Sequence, residues 1–349
     1  SIGEPGDEIA LAGGVGHAPY RATEPCAVSY HRRMSLSARA ARLSGCYTTV
    51  PTQFKDEPGF PINRDGMRQH VRFLLDGGLR EGTGVLLAGG AAGDFSTLTF
   101  DERVAVAETV VDAAGGRIPV AMGGQTTSTQ ELERLVKAAE RIGCTFVQVS
   151  PPFYFGHTEG DFLEYVEAAA GAANVGLIIY NTYWTSTGVS EGMVEKLARI
   201  PNVDSLKWSA PDGMQLAFEG VIQRFSDRFA IIDNQCRFPV SHMLGARSIE
   251  IHIANHWPQW AVALWQKLER RDYEAAQTDI MDVLYPYMKL WWEMESYTSG
   301  DGYMDKLCME LVGLPSSRCR PPTRDVRPLY REKARQMLIE TGVPGVVPA

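Results

Sequence analysis

A chain of 349 residues, 44% hydrophobic and 22% charged, has enough apolar material for one large α/β domain with an appendage and too much to stay disordered. Its formal net charge of −8 argues against nucleic acid as a partner and suits a soluble handler of small molecules. No apolar run approaches the ~18 residues a membrane span needs, so no membrane partner is expected.

Residues 1–33 are rich in Gly, Ala and Pro and carry no sustained periodicity. Glu4, Asp7 and Glu8 come before any apolar run, which is not the order of a signal peptide. This stretch reads as an irregular extension upstream of a start at Met34. From 34 to 271, short apolar runs alternate with amphipathic stretches. The strand-like runs are Gly45–Pro51, Gly84–Ala88, Ile118–Met122, Phe146–Ser150, Gly176–Tyr180, Val203–Lys207, Phe229–Asp233 and Ser248–Ala254. The helix-like stretches are Arg64–Gly77, Phe100–Ala114, Ser128–Ile142, Glu159–Ala172, Ser190–Ile200, Asp212–Phe225, Cys236–Leu244 and Pro258–Arg270. Strands alternating with helices imply βαβ units and a parallel sheet. Eight such units are the count that closes a (β/α)8 TIM barrel. An open doubly wound sheet is disfavoured, because no Gly-x-Gly-x-x-Gly follows the first strand. Residues 272–349 read as a C-terminal helical appendage, with helices at Tyr273–Glu295, Tyr303–Val312 and Arg324–Thr341 and a loose tail from Gly342. The six cysteines (Cys26, Cys46, Cys144, Cys236, Cys308 and Cys319) show no paired or zinc-like spacing and read as buried thiols of a reducing cytoplasm.

In a closed barrel alternate strand residues face the lumen. The isoleucines of Ser248-Ile249-Glu250-Ile251-His252-Ile253-Ala254 occupy one face, which turns Ser248, Glu250, His252 and Ala254 inward. Glu250 is then a paired structural carboxylate or a substrate contact, and His252 a core histidine. Lys207 alone among the lysines sits at the carboxyl end of a strand, where such barrels do their chemistry. Desolvation there disfavours the ammonium and yields a nucleophilic amine. The competing reading is a buried ion pair of Lys207 with Glu250 or Asp233. Tyr180 ends the neighbouring strand, close enough to relay protons for that amine. The loop Gly89-Gly90-Ala91-Ala92-Gly93-Asp94 has small residues whose backbone N–H groups can cradle a carboxylate.

Taken together, five segments resemble the dihydrodipicolinate synthase/N-acetylneuraminate lyase family of Schiff-base-forming barrels, over roughly Leu43 to Thr341. They are Val50-Pro51-Thr52-Gln53-Phe54, Gly90 to Asp94, Ser150-Pro151-Pro152-Phe153-Tyr154, Tyr180-Asn181 and Leu206-Lys207. Gly313-Leu314-Pro315 and Cys319-Arg320-Pro321-Pro322 resemble the family's closing segment. The resemblance implies that Lys207 forms the imine, that Tyr180 shuttles protons and that Gly90, Ala91, Ala92 and Gly93 hold the carboxylate of a 2-oxo acid. It also implies that Tyr154 reaches toward a partner subunit in a homo-oligomer, a dimer or tetramer.

Two departures shape the expected substrate. Ala91 and Ala92 stand where the synthases have threonines, which keeps the backbone cradle and removes a hydroxyl. Thr182-Tyr183-Trp184-Thr185-Ser186-Thr187-Gly188 lacks the arginine that binds the semialdehyde carboxylate in the synthases, and with it a bidentate carboxylate partner. Trp184 and Tyr183 suit either a bulkier aromatic or polyhydroxylated partner or a subunit contact, and Glu250 or Asp233 is placed to act on a substrate hydroxyl. The leading expectation is an aldolase or dehydratase acting on pyruvate or a substituted 2-oxo acid. The alternatives are a 4-hydroxy-tetrahydrodipicolinate synthase and a non-catalytic ligand-binding barrel. Because the iminium is itself the electrophile, no metal or organic cofactor is expected.

Overall fold

The computed structural model describes residues 35–348. The irregular extension read at 1–33, the start at Met34 and Cys26 lie outside them. Eight parallel strands close into a barrel in chain order: β1 (Gly45–Val50), β2 (Gly84–Ala88), β3 (Val120–Gly123), β4 (Phe146–Val149), β5 (Gly176–Tyr180), β6 (Val203–Trp208), β7 (Ala230–Asp233) and β8 (Ser248–Glu250). Between them run α2 (Arg64–Asp76), α3 (Phe100–Ala114), α4 (Thr129–Ile142), α5 (Glu159–Ala172), α6 (Glu191–Leu197), α7 (Gln215–Phe225) and α8 (Phe238–Leu244), with α9 (Pro258–Glu269) after β8.

The helix starts follow local chemistry. Thr99 and Thr158 form capping boxes with Glu102 and Asp161, and Ser128 and Ser190 cap α4 and α6. Each satisfies an amide the helix leaves unpaired. The strands are buried on both faces, as a parallel sheet under helices requires. Tyr47, Val85, Leu87, Phe146, Ile178 and Ile232 fill a small inner core. Val50, Leu86, Val147, Ile179, Leu206 and Ile231 face the helices in a larger outer core. The period of two that separates these sets is the one that places the site.

Three sequence expectations need correction. The eighth strand ends at Glu250, and the chain then turns into a 3-10 segment, Ile253–Asn255. The alternation stops with the strand, so Ala254 packs in the outer core with Ile249, Ile251 and Ile253. A short helix preceding the barrel, α1 (Ala38–Ala41), was not anticipated. It joins Ala40 and Leu43 to the inner core, while Arg39 Nε and Ser37 Oγ donate to Asp204 at 2.5 and 2.6 Å. Finally, the tail from Gly342 is not loose over the described residues: Val343 is buried and the Val347 amide donates to the Leu311 carbonyl at 2.8 Å.

Beyond α9 come α10 (Tyr273–Asp279), a π-helical turn at Ile280–Leu284, α11 (Tyr285–Glu295), α12 (Tyr303–Leu311) and α13 (Arg327–Glu340). The segment between α11 and α12 lies against the Gly90–Asp94 loop: a Cβ on Gly302 would sit 2.4 Å from the Ala92 carbonyl oxygen, and Gly302 has φ +72. Glycine is required there both for conformation and for space. No described helix is long and apolar enough to cross a membrane.

Candidate active site

β5 and β6 pair in a register that sets Tyr180 beside Lys207. Both side chains point into the lumen at its carboxyl end and line a cavity of about 860 Å³. Lys207 is buried; its Nζ lies 4.2 Å from the centre of the Tyr180 ring and 5.3 Å from that of Tyr47. Its ionic partner is Glu250, whose other oxygen accepts from Thr49 Oγ1 at 3.4 Å. Burial, with the negative charge of Glu250 next in weight, pushes the Tyr180 phenol well above its ordinary range, so it stays protonated as a donor. The Tyr180 oxygen also accepts from Asn234 Nδ2 at 3.1 Å. Trp184, half exposed, packs edge-on to Tyr180 with ring centres 5.6 Å apart.

Asp233 is not in this cavity. It follows Ile232 on β7, and it is Ile232 that stands in register with Lys207. One residue further along the strand the side chain points to the helix layer, where Asp233 accepts from the Gln235 amide at 2.6 Å and from Ser241 Oγ at 2.5 Å. Burial pushes its pKa up to about 6. The expected substrate contact through Asp233 is thus corrected by strand parity, since Ile232 takes the inward position.

The Gly90–Gly93 loop divides into two parts. Gly93 and Asp94 spend their amides on the carbonyls of Gly90 and Ala91 within the turn, both at 3.0 Å. Among the described residues, the amides of Ala91 and Ala92 donate to no protein acceptor. Ala91 lines the cavity, whereas the Ala92 side chain is buried under Gly302. A Cβ on Gly90 would lie 2.4 Å from Leu87 Cδ2 and 3.0 Å from Thr49 Cγ2, so a side chain there would force the buried Leu87 to move. Tyr154 stands at the cavity rim, 85% exposed, with φ +88 and its ring edge-on to Phe155 at 4.8 Å.

Several lining residues were not anticipated. Among the described residues that line the cavity, the cations are Lys207 and His252, and none is an arginine; Phe95, Phe153, Met288 and Trp291 give it an apolar wall, and Asp301 and Glu295 add acid. Cys236 lines it too and is exposed, contrary to the expectation of a buried thiol, while Cys46, Cys144, Cys308 and Cys319 are buried. Of these additions, His252 had a sequence signal through its strand position. The C-terminal residues had none.

His252 donates from Nδ1 to Asp305 Oδ2 at 2.8 Å, and its Nε2 is 3.9 Å from Glu250 Oε1. Burial works against its charge, yet Asp305, with Asp301 and Glu250 behind it, outweighs burial and pushes its pKa up to about 9. Unfolded histidine titrates near 6.5, so this stabilisation is fully present below about pH 6.5 and is lost as pH rises through 9. Urea unfolding is expected to show up to roughly 3 kcal/mol less stability at pH 9.5 than at pH 6 from this group. That difference should shrink accordingly in His252→Gln; an unchanged difference would refute the assignment.

Residues 42–341 match the profile of the dihydrodipicolinate synthetase family. The 4-hydroxy-tetrahydrodipicolinate synthase of Methanospirillum hungatei is 25% identical over 297 residues, spanning 84% of this chain and 98% of that protein. The enzyme of the same name from Pseudomonas aeruginosa is 30% identical over 273 residues, 77% of this chain and 90% of that protein. A probable 5-dehydro-4-deoxyglucarate dehydratase of Methylobacterium radiotolerans is 26% identical over 291 residues, 81% of this chain and 90% of that one. Among solved structures, dihydrodipicolinate synthase of Acinetobacter baumannii, complexed with pyruvate, superposes with a TM-score of 0.76 at 22% identity, over 86% of this chain and 99% of that chain.

Proposed function

Because the chain belongs to the dihydrodipicolinate synthetase family, we propose that it is a class I lyase, an aldolase or dehydratase that acts on pyruvate or a substituted 2-oxo acid through an imine on Lys207. The observation that carries this is a buried lysine Nζ at the barrel mouth, with a carboxylate partner and a phenol ring beside it. The neutral amine attacks the ketone carbon, and Glu250 accepts the proton that the ammonium releases. Tyr180 donates to the departing carbinolamine oxygen, which leaves as water and completes the iminium, and the proton held on Glu250 then passes back to the Tyr180 oxygen, so that Glu250 is again a carboxylate. The free amides of Ala91 and Ala92 donate to the carboxylate of the 2-oxo acid as a backbone anion site.

Trapping with borohydride and pyruvate, read by intact mass and peptide mapping, tests this. The expected result is a reduced adduct on Lys207. An adduct on another lysine would overturn the site; no adduct with pyruvate or longer 2-oxo acids would leave the ligand-binding barrel. Tyr180→Phe is expected to slow adduct formation about 100-fold without changing its position, and an unchanged trapping rate would remove Tyr180 from the relay.

The names of the relatives favour a second reading, condensation of pyruvate with aspartate semialdehyde. The cavity wall argues against it, since that semialdehyde brings a carboxylate of its own beside that of pyruvate and no arginine lines the cavity among the described residues. Measurable turnover of that pair would restore it. The exposed Tyr154–Phe155 pair supports a homo-oligomer, a dimer or tetramer in which Tyr154 meets a neighbouring subunit. The free thiols support a reducing cytoplasm.

A further inference from the structure

We propose that His252, held by Asp305, is a second proton-transfer residue of this cavity, the acid that protonates a leaving oxygen on C4 of the substrate. The proposal deepens the Schiff-base reading and rests on it. It also selects dehydration over carbon–carbon cleavage.

The placement comes first. β8 stops at Glu250, and the turn that follows carries His252 to the same mouth of the barrel as Lys207 and Tyr180, where it lines the cavity. The orientation comes next. Asp305, on α12, is fully buried and also accepts from Tyr287 Oη at 3.2 Å and Asn255 Nδ2 at 3.3 Å. A carboxylate held by two neutral donors fixes the tautomer and direction of the imidazole that donates to it, as an orienting acid does for a catalytic base. Trp291 packs edge-on to the ring at 4.7 Å. This leaves Nε2 on the side of Glu250.

Comparison with the neighbouring histidines shows that this is more than a satisfied core group. His70 and His256 also feel the Asp305 charge, yet burial pushes both down to about 4, so they stay neutral, and neither lines the cavity. The charged and titratable groups around His252 are Asp305 on α12, Asp301 just before it, Glu250 on β8 and the neutral His256, while the protonated Tyr287 on α11 donates to Asp305. Three carboxylates against one imidazole keep it charged at neutral pH, as an acid must be.

The step balances without a co-reactant. In the Lys207 iminium of a 4-hydroxy-2-oxo acid, Glu250 takes a proton from C3 and the C–H electrons give the enamine. The enamine pair then forms the C3–C4 double bond as the C4–O bond breaks. The oxygen keeps that bonding pair, takes the Nε2 proton of His252 and departs as water. Glu250 returns its proton to Nε2 through the released water, which bridges the 3.9 Å between them, and hydrolysis of the iminium frees an unsaturated 2-oxo acid and restores the lysine.

The test uses two probes on the full chain. Pyruvate in deuterium oxide reports the imine and C3 exchange, which require Lys207 and Glu250. 4-Hydroxy-2-oxopentanoate reports loss of the C4 oxygen by the absorbance of the enone. In His252→Gln we expect trapping and C3 exchange within about threefold of wild type, and kcat for dehydration about 100-fold lower with little change in KM. Asp305→Asn, a second variant that keeps the shape of the site, should lower the basic limb of the kcat profile, and both variants are checked for native circular dichroism. Full dehydration activity in His252→Gln would overturn the proposal. So would parallel loss of exchange and dehydration, which marks a structural role, or a wild-type protein that exchanges pyruvate but releases only acetaldehyde or nothing from the hydroxy acid. Failure of the wild type to form any imine is a separate result and overturns the Schiff-base reading together with this step.

Discussion

Lys207→Met is expected to abolish borohydride trapping of pyruvate and to lower kcat/KM by at least about 10⁴, since Lys207 is the one lysine that lines the cavity among the described residues. The same change removes the ionic partner of Glu250, which lies almost wholly out of solvent. Breaking one side of such a pair costs about 3–5 kcal/mol, because it strands a charge. Loss of activity in the single variant would therefore mix chemistry with instability. The pair Lys207→Met/Glu250→Gln separates them. With both charges gone, the site holds neutral groups of similar volume, and most of the stability should return in urea unfolding. Trapping should not return. If the double variant recovers activity along with stability, Lys207 serves the fold only; if the single variant still yields an adduct, another lysine forms it.

Much of this site was legible because it depends on strand parity. Lys207, Tyr180 and Glu250 each sit at an inward position near a strand's carboxyl end, and a period of two in a closed barrel brings such residues together whatever the helices do. Asp233 shows the limit of that logic: the strand ends at Asp233 as read from the sequence, but Ala230 and Ile232 take the inward positions, so one residue of offset turns Asp233 to the other face. β8 shows the same limit, since the regular isoleucines continue past the residue where pairing stops. Asp305, Asp301 and Lys306 were illegible for another reason. They reach the site from a helical region more than fifty residues beyond β8, and nothing in an amphipathic pattern records which distant loop its polar residues meet. Lysine on a helix ordinarily carries a solvated head, and α12 is instead buried along nearly its whole length.

Lys306 is where that buried helix and the Gly90–Asp94 loop become one structure. Its Nζ lies 2.6 Å from Asp94 Oδ2 and 4.5 Å from the centre of the Phe54 ring, with both charged side chains out of solvent. Asp94 has a left-handed backbone at φ +57 and closes the loop in which the Ala91 and Ala92 amides donate to no acceptor among the described residues and Ala91 lines the cavity. Burial pushes the Asp94 carboxyl above its ordinary range even though Lys306 pulls the other way. Lys306→Met is thus expected to lower stability by about 3–5 kcal/mol at neutral pH and to raise KM for pyruvate more than it lowers kcat, because the loop loses its anchor and not its reacting groups. The sign of the pH effect follows from the same carboxyl. Without Lys306 its folded-state pKa rises further, so the variant's deficit should be greatest at pH 7 and diminish as pH falls toward the carboxylate range, where Asp94 is neutral in both states. Adding Asp94→Asn removes the stranded charge and should restore most of the loss at pH 7, giving a coupling energy of about 2 kcal/mol or more in the double-mutant cycle. Strictly additive losses, or a deficit that is flat from pH 7 to pH 4.5, would show that Lys306 supports α12 by packing alone and that the loop is held by Gly302.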